Sequence, residues 1–328
     1  MNSGQNSADG KGLWMPMDDG TLLFLRQWET PAKPRAVLHI VHGMGEHSRR
    51  YSRLANRLIS EGLEVWAADQ RGHGETSSNK QNERGKGGLL GHCADGDGIS
   101  RVTTDIDNLN RAISQKYPGT PIFLLGHSWG SFIAQNYIEN YEGQGDSSLT
   151  LAGCLLSGTR GPDGIKIAMG APFMSFLSFF IGQRNGSRIA KALADGSYNN
   201  AFKPNRTEFD WLSRDEKEVD LYCEDPYCGI LCSVGFYRDM AKTLKRIHLP
   251  IEMKKIRKEL PIYIFSGSAD PVGNMGESPA ALVVAYRHLG ITDLETVLYP
   301  DARHETLNET NRDEVQESLI SWLLRHCT

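Results

Sequence analysis

No stretch of this chain is both long and apolar enough to cross a bilayer as a helix, which takes about 20 residues. The greasiest segment, Ile165–Ile181, is broken by Gly170 and Pro172. Charge of one sign is also lacking, since 36 Lys and Arg stand against 40 Asp and Glu for a net charge of -4. That balance excludes the basic field with which nucleic-acid binders gather phosphate, so no nucleic-acid partner is expected. A mean hydropathy of -0.41 argues against an integral membrane protein. Walker loops, a G-x-G-x-x-G fingerprint and an H-E-x-x-H helix are all missing, so neither a cofactor nor a metal is expected. Among the six cysteines, Cys223, Cys228 and Cys232 lack the C-x-x-C pairs of a zinc site and read as incidental thiols. The first ten residues are polar, without a basic region followed by an apolar one. A cytoplasmic location with reduced thiols is the expectation.

What the chain does contain is 39% hydrophobic and 23% charged residues over 328 positions, which suits two domains or one large α/β unit. Residues 1–12 read as a mobile leader. Short apolar runs follow at Thr21–Trp28, Ala36–Val41, Leu63–Ala68, Pro121–Leu125, Leu151–Ser157, Leu260–Phe265 and Leu294–Tyr299. Helical spacing appears between them at Tyr51–Ser60, Ser100–Tyr117 and Phe132–Asn140, and again at Val315–Arg325. Apolar strands alternating with helices predict a mostly parallel sheet covered on both faces. The polar, Gly-rich residues 76–98 read as a long surface loop. Alternation stops near Gly158 and resumes at Leu260, so the expected organisation is a core of residues 1–157 and 251–328 with a helical cap at 158–250.

The sharpest local signal is Gly126-His127-Ser128-Trp129-Gly130, placed between a strand and a helix. In that setting a G-x-S-x-G serine sits on a strained turn with its hydroxyl presented outward. A serine hydroxyl is a weak nucleophile at pH 7 and needs a base that a third group orients. With the order Ser, acid, His expected along the chain, His304 is the base and Asp270, just after Leu260–Phe265, is the acid. Asp301 and Asp225 are rival acids. His326 is adequately read as a cation on the last helical turn. Two backbone amides must face the developing oxyanion, and position points to Trp129 and Met44; losing one such donor typically costs about 3–4 kcal/mol. Arg71 and His73 suit loop stabilisation as well as they suit catalysis.

His42-Gly43-Met44-Gly45-Glu46-His47-Ser48, Asp69-Gln70-Arg71-Gly72-His73-Gly74 and the Ser128 motif come in this order. Later come Asp210–Asp215, Asp225-Pro226, Ser266–Val272 and Arg303-His304-Glu305. Together they resemble the α/β-hydrolases of the monoglyceride lipase, lysophospholipase and serine aminopeptidase-like group. The resemblance implies an α/β-hydrolase fold, the triad Ser128, Asp270 and His304, and a cap over an acyl pocket. It also implies cleavage of monoacylglycerol- or lysophospholipid-like esters through an acyl-enzyme. Trp129 and Ser131 replace the Met and Gly common around the nucleophile, and a bulky indole there is expected to narrow the pocket. The expected partner is a small lipid or ester, with transient membrane-surface contact through Ile165–Ile181 and a monomeric or homodimeric state. The alternatives are an aminopeptidase or amidase, with Glu224 or Asp225 holding a substrate amine, and a non-catalytic binding protein.

Overall fold

The computed structural model describes residues 8–143, 149–162 and 165–327. Eight strands form one sheet: β1 (Lys11–Pro16), β2 (Leu22–Trp28), β3 (Ala36–Val41), β4 (Leu63–Asp69), β5 (Ile122–His127), β6 (Gly153–Ser157), β7 (Ile262–Gly267) and β8 (Leu294–Tyr299). Their order is β1-β2-β4-β3-β5-β6-β7-β8. β1 and β2 pair antiparallel, as do β2 and β4, and every later pairing is parallel. This is the α/β-hydrolase fold.

Strands β3 to β7 are buried along their whole length, which is why each appears in the sequence as a continuous apolar run. Each face of the sheet carries its own core. One, including Val102, Ile106, Ile133, Tyr137 and Tyr286, lies under the helices Gly98–Lys116, Trp129–Asn140 and Glu277–His288. The other, including Leu54, Leu58, Phe265, Leu319 and Trp322, lies under Ser52–Ser60 and Arg312–Arg325. Burying a single Leu, Ile or Phe in such a layer contributes roughly 1.5–3 kcal/mol.

Two expectations need correction. The last two residues of the segment read as leader, Lys11 and Gly12, open β1, an edge strand whose half-exposed pattern gives little apolar signal, while residues 1–7 lie outside the described residues; Trp14 packs edge-on against Phe24 with ring centroids 5.1 Å apart. Residues 76–98 are not a free surface loop. Asn82 bonds both Leu22 N–H (2.8 Å) and Leu22 C=O (2.9 Å), Gly91 N–H donates to Gly72 O (2.7 Å), and His92 and Cys93 are buried. Hydropathy cannot reveal this, because backbone and amide hydrogen bonds rather than apolar residues hold the segment down.

Between β6 and β7 the chain adds no strand among the described residues. It forms the helices Ile165–Ile181, Arg188–Ala194, Glu216–Glu224, Val234–Ile247 and Pro250–Met253. Ile165–Ile181 packs on Val234–Ile247, with Met174 and Ser178 buried. Phe173, Phe176, Phe179 and Phe180 face outward, with exposures of 47, 62, 83 and 68%. The side chains of residues 165–171 lie outside the described residues.

Arg71 sits wholly inside the protein, paired with Asp105 (2.6 and 2.9 Å) and Asp19 (2.8 and 2.9 Å), and thereby fastens the β4 exit to two other segments. Its role is structural. Arg71→Ala leaves Asp19 without its cation and the buried Asp105 with Arg101 alone (3.0 Å), and urea unfolding is expected to show a loss of about 3–5 kcal/mol.

Candidate active site

Ser128 closes the turn between β5 and the helix Trp129–Asn140 with φ 52 and ψ -123, a left-handed conformation that side-chain-bearing residues seldom adopt. The neighbouring glycines make the turn possible. A Cβ on Gly126 would lie 2.4 Å from Gly130 O, and one on Gly130 only 2.2 Å from Val41 O. Ser128 N–H donates to Ser157 O on β6 (2.9 Å), and Ser131 Oγ lies 2.6 Å from Ser128 O. The hydroxyl-bearing residue is thus presented at the N-terminal end of a 12-residue helix, where partial positive charge gathers.

Asp270 leaves the end of β7 and His304 follows β8. Their loops are tied together, since Ala269 N–H donates to Ala302 O (2.9 Å) and a Cβ on Gly267 would fall 2.0 Å from that same oxygen. Both side chains are buried. His304 Nδ1 stands 3.0 Å from each carboxylate oxygen of Asp270, and Oδ1 also accepts from Val272 N–H (2.8 Å). Burial alone would raise the Asp270 carboxyl, but the His304 ring beside it prevails and the pKa is lowered. Burial likewise works to depress His304, yet the Asp270 carboxylate outweighs it and the imidazole is raised above its ordinary 6.5. The His304 ring lies between His127 (4.9 Å between centroids) and Trp211 (5.1 Å).

Met44 belongs to the turn after β3, and neither its amide nor that of Trp129 finds an acceptor among the described residues. Sequence reasoning missed what shapes this turn. Gly43 N–H donates to Glu46 Oε1 (2.6 Å), Glu46 Oε2 pairs with Arg50 (2.9 Å), and Arg50 grips Glu305 through two bonds of 2.6 and 2.7 Å. Burial would raise Glu46, but Arg50 dominates and holds it at about 2. The network joins the Met44 turn to the residue beside His304. No local signal marked it, since Glu46, Arg50 and Glu305 stand among other charged and polar residues in the sequence. Nearby, His42 Nε2 accepts from Gln70 N–H (2.8 Å) while Nδ1 donates to Gly43 O (2.8 Å), which fixes a neutral tautomer.

Ser128 opens on two spaces. A small recess of about 40 Å³ is bordered by Met44, Ser128 and His304 together with Glu46 and Glu305. A larger cavity of about 480 Å³ runs beneath the β6–β7 helices past Phe132, Met174, Tyr237 and Leu244. Trp129 is among the residues that line it. The indole is buried, stacked on His73 (5.2 Å) and against Phe236 (5.0 Å), and forms part of the wall.

The rival residues lie elsewhere. Asp301 is exposed. Asp225 faces His47 Nε2 (2.9 Å), and His326 bonds Trp322 O and Asp293. Glu224 and Asp225 border neither space, and Asp195, which borders both, pairs with Lys191 (3.2 Å). All six cysteines are free.

A strained serine on a strand-to-helix turn, with a buried Asp–His pair on the next strand ends of a mostly parallel sheet, defines an α/β-hydrolase site. A family profile described as serine aminopeptidase, S33, matches residues 32–311, and the chain belongs to that family of hydrolases. A monoacylglycerol lipase of Mycolicibacterium smegmatis is 26% identical over 301 residues, covering 91% of each chain. The human monoglyceride lipase is 27% identical over 252 residues, 77% of this chain and 71% of its own. A thermostable carboxyl esterase from Bacillus coagulans, solved with glycerol, superposes with a TM-score of 0.86 at 27% identity over 97% of this chain and 99% of the other.

The His304 shift is measurable by NMR titration of the imidazoles. The ring is expected to gain its proton above pH 6.5. In Asp270→Asn, where burial acts without the opposing carboxylate, the midpoint is expected to fall below 6.5. An unchanged midpoint contradicts the pairing.

Proposed function

We propose that the protein is a carboxylic ester hydrolase that acts on lipophilic monoacyl esters, such as monoacylglycerols or lysophospholipids, through an acyl-enzyme. The observation that carries this reading is the buried Asp270–His304 pair, whose His304 borders the same recess as the strained Ser128. His304 takes the Ser128 proton as Oγ attacks the ester carbonyl, then gives it to the departing alcohol. Asp270 fixes the imidazole tautomer and stabilises the imidazolium. The Met44 and Trp129 amides hold the oxyanion, and water activated by His304 then releases the acid.

Residues 158–250 act as a cap, and the 480 Å³ cavity beneath it takes the acyl chain. Its walls of Phe132, Met174, Tyr237, Met240 and Leu244 suit an alkyl group, and the neighbouring recess suits the smaller alcohol. The outward Phe173, Phe176, Phe179 and Phe180 support contact with a lipid surface. The names of the relatives point the same way. Glu224 and Asp225, suggested for holding a substrate amine, stand outside the cavity, and Asp195, which borders it, is paired with Lys191; this favours esters over aminopeptidase substrates.

The test is a hydrolysis panel of p-nitrophenyl esters of graded length, monoacylglycerols and lysophospholipids beside aminoacyl-arylamides. Ester turnover is expected to exceed arylamide turnover, and Ser128→Ala is expected to lower it at least about 10⁴-fold. Because His304 must be neutral to act as a base, kcat/KM is expected to rise with pH along a limb centred above 6.5. Arylamide turnover equal to ester turnover would overturn the substrate class.

A further inference from the structure

His47, Asp225 and Cys228 bring an imidazole nitrogen, a carboxylate oxygen and a thiol sulfur within 4.8 Å of one another. His47 belongs to the turn after β3, whereas Asp225 and Cys228 follow the helix Glu216–Glu224, so the group joins distant parts of the chain. We propose that these three residues form a binding site for a soft divalent cation, Zn²⁺ above all, apart from the Ser128 centre and independent of the reading above.

Nitrogen, oxygen and sulfur donors on three residues, with a fourth position for water, are a donor set that suits tetrahedral Zn²⁺. The local backbone already holds the donors in place. Asp225 Oδ1 accepts from Tyr227 N–H (2.9 Å), which turns Oδ2 toward His47 Nε2 at 2.9 Å. Cys228 N–H donates to Asp225 O (3.0 Å), and Gly229 N–H (3.0 Å) and the Tyr222 hydroxyl (2.9 Å) both reach Gly45 O. These contacts orient the ligands from behind, as supporting partners do around metal centres. Metal bonds of about 2.0–2.3 Å then require the donors, now within 4.8 Å of one another, to draw closer together.

Charge is consistent with such an ion. On binding, the Cys228 thiol releases its proton to solvent and coordinates as thiolate, so Asp225 and Cys228 together supply two negative charges. Arg50 is engaged by Glu46 and Glu305, and Arg49, half-exposed and 3.8 Å from Asp225, is free to turn outward. The carboxylate of Asp225 and the thiol of Cys228 are both partly accessible, which gives an ion a way in. The missing C-x-x-C spacing does not count against the site, because its partners come from His47 and Asp225 rather than from other cysteines.

Cobalt(II) titration of the full-length protein tests this, because a thiolate ligand gives a near-ultraviolet charge-transfer band that nitrogen and oxygen ligands do not. Wild type is expected to show the band at one equivalent and to lose it on adding Zn²⁺. Cys228→Ser is expected to abolish it, His47→Gln and Asp225→Asn to weaken cobalt binding at least about tenfold, and Cys223→Ser to leave it unchanged. Zn²⁺ at tenfold excess over Kd is expected to raise Tm by about 2–3 °C in wild type and not in Cys228→Ala. Circular dichroism of the metal-free variants verifies that each is folded. A missing band, a band that survives Cys228→Ser, or one indifferent to both His47→Gln and Asp225→Asn would overturn the proposal.

Discussion

The backbone at Ser128 holds a left-handed conformation because the chain has no other path. β5 ends against Gly130, which lies so close to Val41 O that only a glycine fits, and the helix begins at once behind the serine. Strain of this kind typically costs about 1–3 kcal/mol and persists only where surrounding structure over-determines it. Here the surroundings are the fully buried strands β3, β5 and β6, whose register sets the Met44 turn on one side of the serine and Ser157 on the other. Sheet packing therefore does more than stabilise the fold; it sets the direction in which the hydroxyl is presented.

Around that point buried charges are arranged in matched sets. Asp270 with His304, and Glu46 with Arg50 and Glu305, lie where unpaired ions would be prohibitive, and each partner offsets the desolvation of the other. The second set spans from the Met44 turn to the residue next to His304. It gives a physical link between the Met44 turn and the His304 segment, so that the two sides of the recess hold one relative position.

Much of this was legible because it follows from local chemistry. Apolar runs marked β2 to β8 to within about two residues, most continuously in β3 to β7, as buried parallel strands should. β1 escaped because an edge strand exposed to water shows no such run, and residues 76–98 escaped because Asn82 and several backbone amides pin them. Ser128 was readable from its flanking glycines, and Asp270 and His304 from their places after strands; the structure sets those two side chains in contact. The Arg50–Glu305 pair was beyond reach. Its partners lie 255 positions apart, and nothing in either segment names the other. The packing of Trp129 was out of reach for a similar reason, since only the fold reveals that its indole lies against His73 and Phe236.

The central claim, that Ser128 is a nucleophile activated by His304, is tested most directly by covalent labelling with a fluorophosphonate followed by peptide mapping. The account predicts stoichiometric modification of Ser128 in the wild type, its loss in Ser128→Ala, and a labelling rate lowered by orders of magnitude in a folded His304→Ala variant. Labelling at another residue, or labelling of Ser128 at an undiminished rate without His304, would contradict it.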